Sequence, residues 1–324
     1  MMIITLLLSL VLLLFPSCSP DSTVNERDIY LVTVADNGNT LKTVITDQAA
    51  LISQISTFSN NVHIYAFTAQ NGKRYISTHP KFEPVDENNK VVNASSSSFD
   101  HFNYVEESAE STEDWTMATV LDTIGSIHSD SDDLIIFTFS GHGDKNGGAL
   151  VTNVVNSDKY KLTNRETIIT KFESIEGYKV FFLDSCYSGN FIDSSSFTTK
   201  DTFSSYEDRY TGEDTLSAVK NSSLEKTAKT QGNIWIMASA GKNQMANDCD
   251  DKGTDSIVQK HYGEFTYYLL KALGYDMDNN QAKKNTDELT FYGVYSYIRL
   301  NFPSYDIADH TPRVSLKRLD IRLK

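Results

Sequence analysis

Two short motifs carry the residue types of thiol chemistry: Ser140-Gly141-His142-Gly143 and Asp184-Ser185-Cys186-Tyr187-Ser188-Gly189. A cysteine attacks a carbonyl as the thiolate, so it needs a lowered pKa or a nearby base. Histidine is the side chain that takes such a proton near neutral pH and later returns it to a leaving amine. His142 and Cys186 are therefore the candidate base and nucleophile. Gly141 and Gly143 are expected to let the backbone turn tightly around the histidine, and Gly189 to permit a sharp turn after the cysteine. The backbone N–H of Gly143 or of Cys186 is the candidate donor to a developing oxyanion. A lone buried cysteine is more often a core residue, and a lone loop histidine is more often structural. The pair, with glycine on both sides of the histidine, outweighs that plainer reading.

Each motif follows directly on an apolar run, 134–139 and 180–183. Such short continuous runs read as strands buried on both faces. The 44 residues from His142 to Cys186 suit two such strands joined by a crossover helix. The remaining pattern supplies further strands at 28–34, 62–68, 74–77 and 234–238, with an edge strand at 313–319. Helices are expected at 47–58, 115–127, 167–174, 264–273 and 291–300. A turn and short hairpin are expected at 144–165, a surface loop at 81–110, and a long exposed loop at 191–231. Strands alternating with helices predict an α/β fold: a mostly parallel six-stranded sheet with helices on both faces. Active sites of such sheets form beyond the carboxyl ends of strands, where both motifs fall.

The chain has 324 residues, 40 % of them hydrophobic, enough for a full core. Its net charge of −14 argues against nucleic acid as a partner, since phosphate binding needs a basic surface. An acidic surface instead attracts basic peptides, or simply keeps the protein soluble. The apolar run 3–15 is too short for a comfortable membrane span and fits the core of a secretory signal. Cys18, following Pro16-Ser17, resembles the lipidated first residue of a bacterial lipoprotein; plain secretion and an uncleaved anchor are the alternatives. The expected division is a signal at 1–17, a polar tether at 18–27 and one domain at 28–324. The protein would be exported to the cell envelope and touch the membrane only through its lipid. With Cys18 modified, only Cys186 and Cys249 remain, so no disulfide framework stabilises the fold. A bridge between those two would disable the nucleophile. No Cys/His spacing fits a structural zinc site.

Together the motifs resemble the caspase-like cysteine peptidases, with the best match to metacaspases and related bacterial caspase-family proteins. Thr46-Asp47-Gln48-Ala49, Ala238-Ser239-Ala240, the run 263–270 (Gly-Glu-Phe-Thr-Tyr-Tyr-Leu-Leu) and His310-Thr311-Pro312 extend the resemblance over 28–324. The nucleophile signature Gln-Ala-Cys-x-Gly of caspases proper is absent. The resemblance implies a caspase-like three-layer sandwich and a His142–Cys186 dyad without a third member. It also implies a first substrate pocket floored by Asp47, Ser140 and Asp184 that selects Arg or Lys, because a pocket carboxylate pairs with a cation that would otherwise be buried alone. Val44 stands where metacaspases carry a cysteine. The alternative is that Asp47 caps its helix and Asp184 only braces the nucleophile turn, leaving cleavage after Asp or a small residue. By the same resemblance the protein is expected to be a monomer that acts on peptides or proteins. Lys200, Arg209, Lys220, Lys226 and Lys229 make the 191–231 loop a candidate for self-cleavage. Acidic runs at 130–133 and 248–251 offer oxygen ligands for calcium, which some relatives need, but no metal or cofactor is assigned. A silent caspase-like module that binds peptides without cutting them is the competing class.

Overall fold

In the computed structural model the described residues are 27–38, 40–70, 73–85, 101–105, 115–145, 149–153, 160–192, 233–247, 262–285, 288–302, 312–315 and 321–324. Residues 1–26 lie outside them, and with these the expected signal, Cys18 and all but the last residue of the expected tether; so do Cys249, residues 193–231, the acidic run at 248–251 and His310-Thr311.

The order of elements is β1 (Ile29–Asp36), α1 (Val44–Ile55), β2 (Val62–Gln70), β3 (Lys73–Ser77), β4 (Lys81–Val85), β5 (His101–Val105), α2 (Met117–Gly125), β6 (Leu134–Ser140), β7 (Leu150–Asn153), β8 (Tyr160–Thr163), α3 (Arg165–Glu173), β9 (Tyr178–Asp184), β10 (Ile234–Ala238), α4 (Glu264–Ala272), α5 (Phe291–Asn301) and β11 (Arg313–Val314). One main sheet runs β11-β10-β9-β6-β1-β2-β3. Its five inner strands are parallel, and an antiparallel strand closes each edge. The sheet thus has seven strands rather than six. The edge pieces β3 and β11 both pair with it, and β11 is only two residues long.

Alternation along the strands divides the core in two. Leu31, Ile136, Val180 and Trp235 pack with α1, α4 and α5 through Leu51, Ile55, Phe265, Leu269, Phe291 and Ile298. Their neighbours Val32, Phe137, Phe181 and Ile236 pack with α2 and α3 through Val120, Ile124, Ile168 and Phe172. Successive strand residues face opposite ways, so every inner strand has to be apolar throughout. Hence the sandwich has three layers. On the α2/α3 side Phe137, Phe172 and Phe181 meet pairwise, with ring centroids 5.3, 5.2 and 4.5 Å apart, a spacing typical of edge and tilted aromatic pairs.

Two stretches differ from the sequence expectation. Part of 81–110 forms β4 and β5, a small antiparallel sheet of its own, instead of a loop. The polar, serine-rich centre of that stretch hides two short apolar alternations at its ends. Helix α1 begins at Val44, three residues before Asp47. Asp47 therefore sits inside the first turn, its N–H bonded to Thr43 O at 2.9 Å, and it is not the residue that caps this helix. The hairpin expected within 144–165 is β7–β8.

Register sets the ends of the inner strands level. Ala35 pairs with Ser140, and Ser140 with Asp184. The Gly141 N–H continues the ladder to Asp184 O at 3.1 Å. The segments carrying His142 and Cys186 therefore leave neighbouring strands side by side at the same edge.

Candidate active site

The His142 turn and the Cys186 turn touch. A Cβ on Gly143 would collide with the Cys186 carbonyl oxygen and lie 3.2 Å from Ser185 Oγ. Neither Gly141 nor Gly143 adopts a left-handed φ. These glycines are thus explained by close approach, not by the tight turn expected of them: a Cβ on Gly141 would press on the Phe139 ring at 2.9 Å. The sharp turn after the nucleophile is made by Tyr187, which holds φ 59°. Its N–H donates to Gln244 O at 2.8 Å, which fixes that unusual conformation. Gly189 serves contact again, since a Cβ there would stand 2.7 Å from Ala240 O and from Lys242 N.

Behind the cysteine, hydroxyls brace the chain. Ser185 N donates to Ser239 Oγ at 3.1 Å, and Ala240 N to Ser188 Oγ at 3.3 Å. The Ala-Ser-Ala segment after β10 is thereby tied to the nucleophile turn. Cys186 is half-buried, carries a thiol and not a disulfide, and its Sγ lies 3.9 Å from Ala246 O. The His142 ring shares a 2.8 Å hydrogen bond between Nε2 and Thr40 Oγ1. A hydroxyl at one ring nitrogen fixes the plane of the imidazole and biases its tautomer.

The three residues expected at the substrate pocket converge. Ser140 Oγ donates to Asp47 Oδ2 at 2.9 Å, joining the end of β6 to α1. Asp184, two residues before the nucleophile, accepts from Thr266 N at 3.3 Å and Thr266 Oγ1 at 2.7 Å. Asp47 Oδ1 accepts from Gly263 N at 3.0 Å. Asp47 is 1 % exposed and Asp184 9 %. Both carboxylates therefore meet the N-terminal end of α4, where backbone N–H groups have no partner within the helix. Next to them Tyr262 donates to Asn280 Oδ1, and burial pushes its phenol well above the usual range. Tyr275, on the same acceptor at 3.1 Å, is raised to about 12, also by burial. Both tyrosines stay protonated donors under all ordinary conditions.

A further acid at this edge is engaged elsewhere. Asp36, the last residue of β1, pairs with Arg74 at 3.3 Å, both side chains buried, with the guanidinium 4.6 Å over the Trp115 ring. The acidic run at 130–133 lies at the opposite end of β6. There Asp133 accepts from the N–H groups of Asp28 and Asp130 at 3.2 and 2.9 Å. Among the described residues no group of three or more His, Cys, Asp or Glu is placed to hold a metal ion, and no helix is long and apolar enough to cross a membrane.

Sequence reasoning passed over Thr40 and gave no role to Gly263, Thr266 or Tyr187. Gly263 and Thr266 were visible as part of a motif. Thr40 stands in no periodic or motif context, and nothing about a tyrosine announces a left-handed φ.

Three solved structures are similar to the chain at low identity. A Geobacter sulfurreducens protein is 14 % identical, with 89 % of this chain and 92 % of that one covered, at TM-score 0.43. Caspase-1 of Spodoptera frugiperda is 10 % identical, with 90 % of each chain covered, at TM-score 0.42. A secreted C11 cysteine protease of Bacteroides thetaiotaomicron, solved with an irreversible peptide inhibitor, is 10 % identical over 79 % of this chain and 63 % of that one, at TM-score 0.37. No curated protein sequence matches the chain. The sequence profile of the caspase domain, however, matches residues 87–290, a span that takes in the His142 turn, the Cys186 turn, and Gly263 and Thr266, which bond to Asp47 and Asp184. By that match, over the larger part of its length, the chain belongs to the caspase domain family of cysteine peptidases.

Proposed function

We propose that the protein is a cysteine endopeptidase that uses His142 and Cys186 to cut peptide bonds after Arg or Lys. His142 takes the Cys186 proton, and the thiolate attacks the scissile carbonyl carbon to form a C–S bond. The oxyanion that develops is met by the N–H groups of Gly143 and Cys186. His142 then hands its proton to the leaving amine as the C–N bond breaks, which leaves a thioester. Water, deprotonated by the same imidazole, attacks the thioester and releases the acid product and the thiol. Thr40 acts as a positioning residue for the imidazole.

The observation that carries this reading is the contact of Gly143 with the Cys186 carbonyl at the level ends of adjacent strands. It brings the base-bearing and nucleophile-bearing turns together. Selection of a basic residue draws support from the convergence of Asp47, Ser140 and Asp184 beside the nucleophile turn. A cation placed there gains charge-assisted hydrogen bonds that a neutral side chain does not. A second reading has its own observation: both carboxylates already accept hydrogen bonds from α4. On that reading they only hold the helix, and the enzyme cuts after Asp or a small residue.

The test uses a library of fluorogenic peptides, with Cys186→Ala as control. Cleavage after Arg or Lys that vanishes in the variant is the expected result. Cleavage confined to other residues would keep the nucleophile and overturn the pocket. No cleavage under any condition, with calcium added or withheld, would favour a peptide-binding module.

A further inference from the structure

The two carboxylates proposed for the pocket come together at one position, Gly263. A Cβ built there would stand 2.5 Å from Asp184 Oδ2 and 3.1 Å from Asp47 Oδ2. Its φ of −55° is open to any L-residue, so glycine is not required here for its conformational freedom. What the position requires is the absence of a side chain, because the two carboxylates already fill the place that a Cβ would take. Three residues on, Thr266 gives both its N–H and its hydroxyl to Asp184 Oδ2, while the Gly263 N–H holds Asp47. The turn itself cannot slide, because Tyr262 is buried and bonded to Asn280. Two like charges meeting at one position repel. A cation that reaches both carboxylates relieves that repulsion.

We infer that Gly263 and Thr266 are positioning residues that set the specificity of the cut: the missing side chain at 263 lets the Asp47 and Asp184 carboxylates come together and share one substrate cation, and Thr266 holds Asp184 in that pose. The inference rests on the pocket reading of the preceding subsection. It predicts that these two positions tune selectivity while leaving the thiol untouched. Gly263→Ala forces the Asp184 carboxylate aside. Thr266→Val removes the hydroxyl and keeps the shape, and Thr266→Ser restores it.

The experiment measures inactivation of the full chain by two tripeptidyl chloromethyl ketones that differ only in their last residue, arginine or norleucine. Native protein is expected to react faster with the arginine reagent. In Gly263→Ala and Thr266→Val the arginine rate is expected to fall about tenfold, the scale of one lost hydrogen bond to a charged group. The norleucine rate should not change, and Thr266→Ser should recover the arginine rate. If the native protein prefers arginine and the variants keep that preference, the inference is wrong while the pocket reading stands. If both rates fall together, the residues are merely structural and the inference is again wrong. No arginine preference in the native protein, or no inactivation at all, removes the pocket reading and the inference with it.

Discussion

At the scale of single residues, glycine is the informative type, and for a reason the sequence conceals. Gly141, Gly143 and Gly189 stand where a side chain would strike a neighbouring backbone or ring. Gly143→Ala is expected to lower kcat/KM about a hundredfold, the usual penalty for misplacing a catalytic group by an ångström. Peptide turnover checks it, with near-native thermal unfolding showing that the fold survives. Thr40 belongs to the same scale. Thr40→Val removes the hydroxyl 2.8 Å from His142 Nε2 and is expected to cut kcat about tenfold with KM little changed, as the loss of one hydrogen bond implies. Thr40→Ser should restore most of it. The split between kcat and KM, together with that rescue, separates this from a loss of packing. His142 and Cys186 were legible because each follows an unmistakable strand. The asparticacid pair was legible only through a family resemblance, which named Asp47 and Asp184 without saying what holds them. Tyr187 was not legible at all: its left-handed backbone is held by the hydrogen bond its N–H donates to Gln244 O, 57 residues away in sequence.

Elements follow the apolar pattern closely, and they err where that pattern is short or polar. The inner strands were plain because burial on both faces leaves no polar position to confuse the period. Strands β4 and β5 were missed because five-residue strands beside a serine-rich stretch carry too little signal. The start of α1 slipped by three residues because Val44 and Ile45 continue the apolar face with no capping side chain ahead of them. Packing predictions sit here. Phe172 of α3 is fully buried against Phe137 and Phe181, so Phe172→Ala is expected to cost about 3–5 kcal/mol. A lower urea midpoint at unchanged slope would confirm it. Lys179, near the start of β9, is buried with its ammonium 2.5 Å from Ile175 O. Burial lowers its pKa from the usual 10.5, partly opposed by Glu176 and Glu173. The unfolded chain then binds more protons between the folded value and 10.5, so stability rises with pH through that window. Lys179→Met should raise the urea midpoint at neutral pH, and the gain should shrink as the pH approaches the ordinary lysine range.

For the whole molecule the sheet order decides what meets what. Parallel strands set level by register deliver several segments to one edge. This much was legible as a fold class, although the strand count came out at seven because both edges gain an antiparallel partner. The charge of −14 also acts at this scale. If the substrate is a basic peptide, attraction over a Debye length of about 10 Å in dilute salt assists its capture. Raising ionic strength should then lift KM for Arg peptides and leave kcat unchanged, and an unaltered KM would confine recognition to the pocket itself.

The groups assembled here come from Thr40, α1, the turns after β6 and β9, and the first turn of α4, so no stretch of sequence holds them all. Every pairing among them closes a long loop of chain, and such closures are slow and come late in folding. A refolding chain, or one still emerging from its site of synthesis, would therefore hold its future thiol idle until nearly all of the sheet has formed. On the proposed function, the topology itself would delay cleavage until the sheet that carries the site has formed.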